Sequence, residues 1–196
     1  MPYPKILFIR HGETEWNAEG RTQGILNSPL TQKGRAQAEQ LGKILVQHDV
    51  DPSDYFQVTS PLGRTLETVA GIQKHVSFDP IYESLLQEIN LGNIGGMTRY
   101  EIEMEYPEHL QGKKRLDWYF GAPEGETFEQ IKQRAKTWLD SLTGPTIAVS
   151  HGQLGKLIRG LYCGLTDEEL LSSGEPQGVV IVLEDGKETF WELETA

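Results

Sequence analysis

The chain has a single cysteine, Cys163, in its 196 residues. An internal disulfide is therefore excluded, and the setting of that residue, Gly-Leu-Tyr-Cys-Gly-Leu, reads as a small hydrophobe packed against a core more than as a nucleophile. Long hydrophobic runs are missing as well. No apolar stretch approaches the roughly 20 residues that span a bilayer. The opening residues, MPYPKILFIRHG, lack the long apolar segment and small-residue cleavage site of a secretory signal. A cytoplasmic protein without membrane association is the expectation. Positive charge is scarce too, with 18 Lys and Arg against 29 Asp and Glu and a net charge of -11. Such a body repels nucleic acid backbones, and no basic run interleaved with aromatics offsets this locally. An anionic ligand would need a local basic pocket.

What is present is the composition of a globular protein, 37% hydrophobic and 24% charged, with a mean hydropathy of -0.44. The length suits one domain over residues 1–196 around a single core. Lys5 to Arg10 reads as a buried strand, followed by a polar loop from Gly12 to Gly24. Thr31 then caps a helix whose apolar positions Ala38, Leu41 and Leu45 recur at helical spacing until Asp51-Pro52. Tyr55 to Thr59 reads as a second strand and Leu62 to Lys74 as a helix, with Pro61 near its first turn. A third strand is expected around Val76 to Ile81, a loop over 82–97, and short helices at Thr98 to Tyr106 and Lys113 to Phe120 on either side of Pro107.

Thr127-Phe-Glu-Gln130 has the capping-box pattern, and Phe128, Ile131, Ala135, Trp138, Leu139 and Leu142 share one helical face after it. Thr146 to Ser150 reads as a short strand, Leu154 to Tyr162 as a helix, and Thr166 to Leu171 as the start of another. Val179 to Leu183 and Thr189 to Leu193, joined through Asp185-Gly186, read as an antiparallel hairpin. Strands alternating with helices imply an α/β fold in three layers: a mostly parallel sheet flanked by helices on both faces, with an antiparallel C-terminal edge.

In such sheets ligands bind beyond the carboxyl ends of the strands. The residues found there are Arg10-His11 after the first strand, Ser60-Pro61-Leu62-Gly63-Arg64 after the second, and Ser150-His151-Gly152 after the strand at 146–150. Two His and two Arg, far apart in the chain, thereby meet at one sheet edge. Arg guanidinium groups present planar forks of donors suited to phosphate or carboxylate oxygens, and a His beside them can donate to an anion or attack one. Taken singly, each of these residues has a bland reading: a strand-end His bonded locally, a salt-bridged Arg on a helix, a satisfied turn residue.

Together, in this order and spacing, they resemble the histidine phosphatase superfamily, the phosphoglycerate mutase-like or RHG proteins. The resemblance spans nearly the whole chain. It rests on Arg10-His11-Gly12-Glu13 with Trp16-Asn17, Leu30-Thr31 with Gly34 and Gln37-Ala38, and Ser60-Pro61-Leu62-Gly63-Arg64-Thr65 with Thr68. It continues through Glu88 with Leu91-Gly92, Pro123-Glu124-Gly125-Glu126-Thr127, and Val149-Ser150-His151-Gly152. The resemblance implies that His11 is the nucleophile, forming a phosphohistidine that water hydrolyses. It implies that Arg10, Arg64 and His151, with Asn17 and Gly152, surround the phosphoryl oxygens, and that Glu88 protonates the leaving oxygen and then activates water. Phosphoryl transfer depends on positioning and charge compensation, which fixed Arg and His donors supply, so neither a metal nor another cofactor is expected. The expected partner is a small phosphorylated metabolite, and the oligomeric state is open, a homodimer included.

Other chemistries fit less well. Ser60 and Ser150 end strands near a His, but neither lies in Gly-x-Ser-x-Gly. Gly152-Gln-Leu-Gly-Lys156 is too short for a phosphate loop and lacks Ser or Thr after the Lys. His48, His75 and His109 show no ligand spacing and read as surface residues. A retired site that only binds a phosphorylated ligand would have no chemical need for His11, Glu88 and His151 together. Phosphoglycerate isomerisation stands as the alternative to hydrolysis. The mutases resembled carry a longer middle segment with extra basic residues, whereas this chain is shorter there yet offers Arg99, Lys113, Lys114 and Arg115. Ile94-Gly95-Gly96 departs from the acidic or amide residue that many relatives place before the second Gly, which would widen the pocket near the acid. Trp118, Tyr119 and Phe120 are candidates either for an apolar wall of that pocket or for the core.

Overall fold

Ile6–Arg10 form β1, whose first four residues are buried, and their side chains alternate between two apolar clusters. Ile6 and Phe8 face one cluster, Leu7 and Ile9 the other, as the two-residue period of a strand requires. A strand buried on both faces must be covered on both, and the helices do this in two pairs. The computed structural model describes residues 3–113 and 117–194. Along the chain, β1 is followed by α1 (Glu15–Glu19), α2 (Gln32–Gln47), β2 (Phe56–Thr59), α3 (Gly63–Ile72) and β3 (Ile81–Tyr82). Then come α4 (Arg99–Glu105), α5 (Pro107–Leu110), α6 (Phe128–Ser141), β4 (Thr146–Ser150), α7 (Gly152–Cys163), α8 (Asp167–Ser172), β5 (Val180–Glu184) and β6 (Lys187–Trp191).

The sheet order is β3-β2-β4-β1-β5-β6. The first four of these strands run parallel, and β5 and β6 join antiparallel to β1 and to each other. Leu41, Ile44 and Leu45 of α2 and Val69 and Ile72 of α3 pack on Leu7, Ile9, Ile147 and Val149. Ile131, Ala135, Trp138 and Leu139 of α6 and Leu154, Leu157 and Ile158 of α7 cover Ile6, Phe8, Val58 and Ala148 on the other face. The chain thus leaves β1 toward one face through α2 and leaves β4 toward the other through α7. A crevice opens between two adjacent parallel strands where their connections diverge. No helix among the described residues is long and apolar enough to cross a membrane.

Local sequence accounts for the helix starts. Thr31 Oγ1 accepts from Gly34 N at 2.9 Å, and Thr127 with Gln130 closes a reciprocal capping box at the head of α6. Asp185 and Gly186, both at positive φ, turn the β5–β6 hairpin.

Four expectations need correction. The stretch from Gly12 to Gly24 is not all loop, because Thr14 and Asn17 form a capping box that starts α1. The third strand is only Ile81–Tyr82, displaced from Val76–Ile81: Pro80 has no N–H to give a ladder, and pairing to Val58 and Thr59 begins after it. The helix expected over Lys113 to Phe120 falls partly on Lys114 and Arg115, which lie outside the described residues, and the rest is a single 3-10 turn at Asp117–Tyr119. His109 is buried, not on the surface, and its Nε2 lies 2.7 Å from the carbonyl of Trp118.

Candidate active site

Register brings the two histidines together. In the β1–β4 pair Arg10 stands beside Ser150, and His11 N donates to Ser150 O at 3.0 Å, so the residues after the two strands leave the sheet side by side. The rings of His11 and His151 lie 5.3 Å apart between centroids, tilted by 59°. The neighbouring strand β2 adds Ser60, whose Oγ is 2.7 Å from His151 Nε2. Arg64 arrives from the first turn of α3, and Glu88 from the loop after β3. His11, Arg64 and Glu88 border a cleft of about 70 Å³ together with Arg10, Asn17 and Tyr119 among others, whereas His151 and Ser60 do not line it. Trp118 is a core residue stacked on Tyr119, and it carries Arg99 over its ring.

His11 is 3% exposed. Its Nδ1 lies 2.7 Å from the carbonyl of Gly12, which can only accept, so Nδ1 carries the hydrogen and Nε2 keeps its lone pair. Burial first, then the positive charges of Arg64 and Arg10, push the pKa of His11 well below its ordinary value. The ring is thus neutral at physiological pH, with the Nε2 lone pair free. Burial lowers His151 in the same sense, with Arg64, His11 and Arg10 behind it.

Gly12 is required by a close approach. A Cβ there would lie 2.3 Å from Gly34 O, and one on Gly34 would lie 2.0 Å from Glu13 O. The strand end and the first turn of α2 therefore touch backbone to backbone, which seats His11 and explains why both glycines belong to the pattern.

The guanidinium of Arg64 is held by backbone. It donates through NH1 to Leu26 O and through NH2 to Gly24 O, each at 2.7 Å. Burial pushes its pKa down to about 10, opposed by Glu88, so it stays a cation. Arg10 donates through NH1 to the carbonyl of Glu175 and lies 3.6 Å from that residue's carboxylate. Asn17 is aimed by the α1 capping box: its Oδ1 accepts from Thr14 N at 3.2 Å, which leaves its NH2 as a donor on the pocket wall.

Both oxygens of Glu88 accept hydrogen bonds from backbone. Oε1 takes Ile89 N at 3.0 Å and Leu154 N at 2.9 Å, and Oε2 takes Gln153 N at 3.0 Å. The carboxylate is thus seated on the N-terminal amides of α7, the turn that also carries His151. Gly152 does not line this cleft and instead borders a narrow cavity behind it with Arg10, His151 and Glu175.

Five buried side-chain atoms lack a hydrogen-bond partner among the described residues: Arg10 Nε, Arg64 Nε, His151 Nδ1, Gln23 Oε1 and Gln153 Oε1. All belong to residues around this site. Where Ser60 donates to His151 Nε2, Nδ1 bears the hydrogen, so that three of these five atoms are donors. Gln23, Gln153 and Glu175 were not among the sequence-derived site residues, yet all three line the cleft, as does Tyr119, one of the candidates for its wall. Gln153 follows His151-Gly152 directly, a signal that adjacency could have supplied. Glu175 lies in a polar Gly-rich stretch and offers none. Glu13 turns away to Lys33 and Thr31. Among the described residues no group of three or more His, Cys, Asp or Glu is arranged to hold a metal ion.

Two histidines and two arginines at the end of a doubly covered sheet suit a bound anion, and the comparisons give the family. The chain belongs to the histidine phosphatase superfamily, branch 1, whose family model matches residues 6–194. A relative from Hydrogenobacter thermophilus named Phosphoserine phosphatase 1 is 29% identical over 171 residues, covering 85% of this chain and 78% of that protein. An Escherichia coli protein named Probable phosphoglycerate mutase GpmB is 34% identical over 165 residues, covering 79% of this chain and 73% of its own. Among solved structures, Bacillus stearothermophilus YhfR superposes with a TM-score of 0.79 at 28% identity, covering 95% of this chain and 94% of that one. The Shigella flexneri Alpha-ribazole Phosphatase shares the fold, with a TM-score of 0.79 at 24% identity over 97% of this chain and 96% of its own.

Proposed function

We propose that this protein is a metal-independent phosphomonoesterase that hydrolyses small, hydroxylated organic phosphates through a phosphohistidine on His11. The observation that carries this reading is the set of unpartnered buried donors on Arg10, Arg64 and His151 around a neutral His11. Such a set suits a tetrahedral oxyanion.

In the first step His11 Nε2 forms a bond to phosphorus while the ester oxygen departs with its electron pair and takes a proton from Glu88. Arg10, Arg64, His151 and the Asn17 amide hold the three remaining oxygens and the charge that redistributes over them. In the second step water attacks phosphorus, gives its proton to the Glu88 carboxylate, and the P–N bond breaks to release phosphate. Glu88 alternates as acid and base without moving, because backbone donors on two segments fix it.

Isomerisation is the second reading, favoured by the name of the Escherichia coli relative. A mutase must hold a bisphosphorylated intermediate, which calls for free cations over the site. Arg99 bonds Glu103 and covers Trp118, and Lys113 donates to Phe120 O, so both are engaged away from the cleft. This supports hydrolysis. The test is phosphate release from a panel of phosphomonoesters, including 3-phosphoglycerate, sugar phosphates and nucleotides, without added metal and with His11→Ala as control. Release that depends on His11 supports the reading. Conversion of 3-phosphoglycerate to 2-phosphoglycerate without release would replace it with the mutase.

A further inference from the structure

An acidic side chain lines a pocket built for an anion. Glu175 lies in the segment 173–179 between α8 and β5, and its carboxylate borders the cleft beside Arg10 and His11. Oε1 accepts from Lys156 Nζ at 2.6 Å and from Gln153 Nε2 at 2.7 Å. Oε2 lies 3.6 Å from Arg10 NH2, and the Glu175 carbonyl accepts from Arg10 NH1. Lys156 is 4% exposed, and Glu175 is its only ion-pair partner among the described residues.

The segment is tied down on both sides of this residue. Gly174 O accepts from Arg159 at 2.7 Å, and Gln177 Nε2 donates to His11 O at 3.0 Å. Gly152 makes the approach sterically feasible: a Cβ there would lie 2.1 Å from Glu175 Oε2 and 3.2 Å from Arg10 Cζ. The terminal nitrogens of Arg10 are thereby drawn toward Glu175 while its Nε is left unpartnered.

We propose that Glu175 is the resident counter-charge of the phosphate pocket and the positioning residue for Arg10. It occupies the far end of the guanidinium so that the Nε edge meets the phosphoryl group, and its negative charge weakens the hold on inorganic phosphate enough for product to leave. The proposal rests on the phosphatase reading above. Arg10, Arg21 and Arg64 line the cleft and Lys156 backs Glu175, four positive charges against the two carboxylates of Glu88 and Glu175. Removing one carboxylate therefore raises the excess from two to three. At the separations involved, one charge in a partly solvated pocket alters anion affinity by on the order of tenfold.

The test measures inorganic phosphate binding by calorimetry together with kcat and KM on an aryl phosphate. Glu175→Gln is expected to bind phosphate about tenfold more tightly while kcat falls, a split that loss of a merely structural contact does not produce. Adding Lys156→Met restores the charge balance, and phosphate affinity returns toward the wild-type value while kcat stays low because Arg10 is no longer aimed. Lys156→Met alone acts with the opposite sign and weakens phosphate binding, which carries the test should Glu175→Gln not fold. Unchanged or weaker phosphate binding by a cooperatively melting Glu175→Gln protein overturns the proposal, as does a double variant that binds as tightly as the single one. Those results in an enzyme that still hydrolyses esters would leave the phosphatase reading standing. Tighter phosphate binding by Glu175→Gln in a protein that hydrolyses nothing would do the reverse, and a wild-type chain that does not bind phosphate overturns both.

Discussion

The rings of His11 and His151 face each other across 5.3 Å, and each is kept neutral by burial and by the same two arginines. Titration of their ring C2 protons by NMR in the unliganded protein should give midpoints well below the ordinary 6.5 of histidine. Arg64→Met removes a positive neighbour and should move both midpoints upward. Burial is the larger cause and is retained, so neither should recover fully. A downward shift would show that Arg64 does not act on the rings through its charge.

The same burial links stability to acid. Below about 6.5 the unfolded chain protonates these two histidines while the folded chain resists, so the unfolded state binds more protons and stability must fall as pH drops. The expected slope is about 1.4 kcal/mol per pH unit for each histidine across the window from pH 6.5 downward. Urea unfolding at pH 7.5, 6.5 and 5.5 measures it. His151→Asn should flatten the lower part of the curve, and an unaltered slope would contradict the neutral assignment.

Glu88 has both oxygens on backbone donors. Glu88→Gln should slow hydrolysis of alkyl phosphates by roughly 10²- to 10⁴-fold. With an activated aryl phosphate, whose leaving oxygen does not need the proton, the loss in the first step should be much smaller. Burst kinetics then expose the second step, where the missing base slows dephosphorylation. Equal losses of phosphorylation rate with both kinds of ester would remove Glu88 from the acid role.

Gly34 lies outside the pocket but supports it through the Gly12 contact. Gly34→Ala forces a methyl group into the Glu13 carbonyl and should cost about 1–3 kcal/mol of stability. Activity should fall beyond what the unfolded fraction explains, because the displaced backbone carries His11. A stable variant with wild-type kcat would show that the approach has slack.

Much of this was legible in the sequence, for identifiable reasons. Strands buried on both faces read as short apolar runs, so β1 and β4 were visible, and with them the residues at their ends. The caps at Thr31 and Thr127 advertise α2 and α6 by side-chain chemistry that is local to the chain. The Thr14–Asn17 box does the same for α1, but with Asn in place of Glu or Gln and with no apolar face behind it, and periodicity misses it. β3 failed because two residues carry no period. Glu175 illustrates the deeper limit: its partners Arg10, Lys156 and Gln153 lie 165, 19 and 22 positions away, and no local pattern records such a meeting.

The central claim is that His11 takes the phosphoryl group. Rapid acid-free quenching of the enzyme during turnover of an aryl phosphate, followed by peptide mass spectrometry under alkaline conditions, tests it most directly. The account predicts one acid-labile, base-stable phosphoryl group on the peptide that carries His11, accumulating further in Glu88→Gln and missing in His11→Asn. Turnover with no phosphorylated His11 peptide in Glu88→Gln, or with the label on another residue, would contradict it.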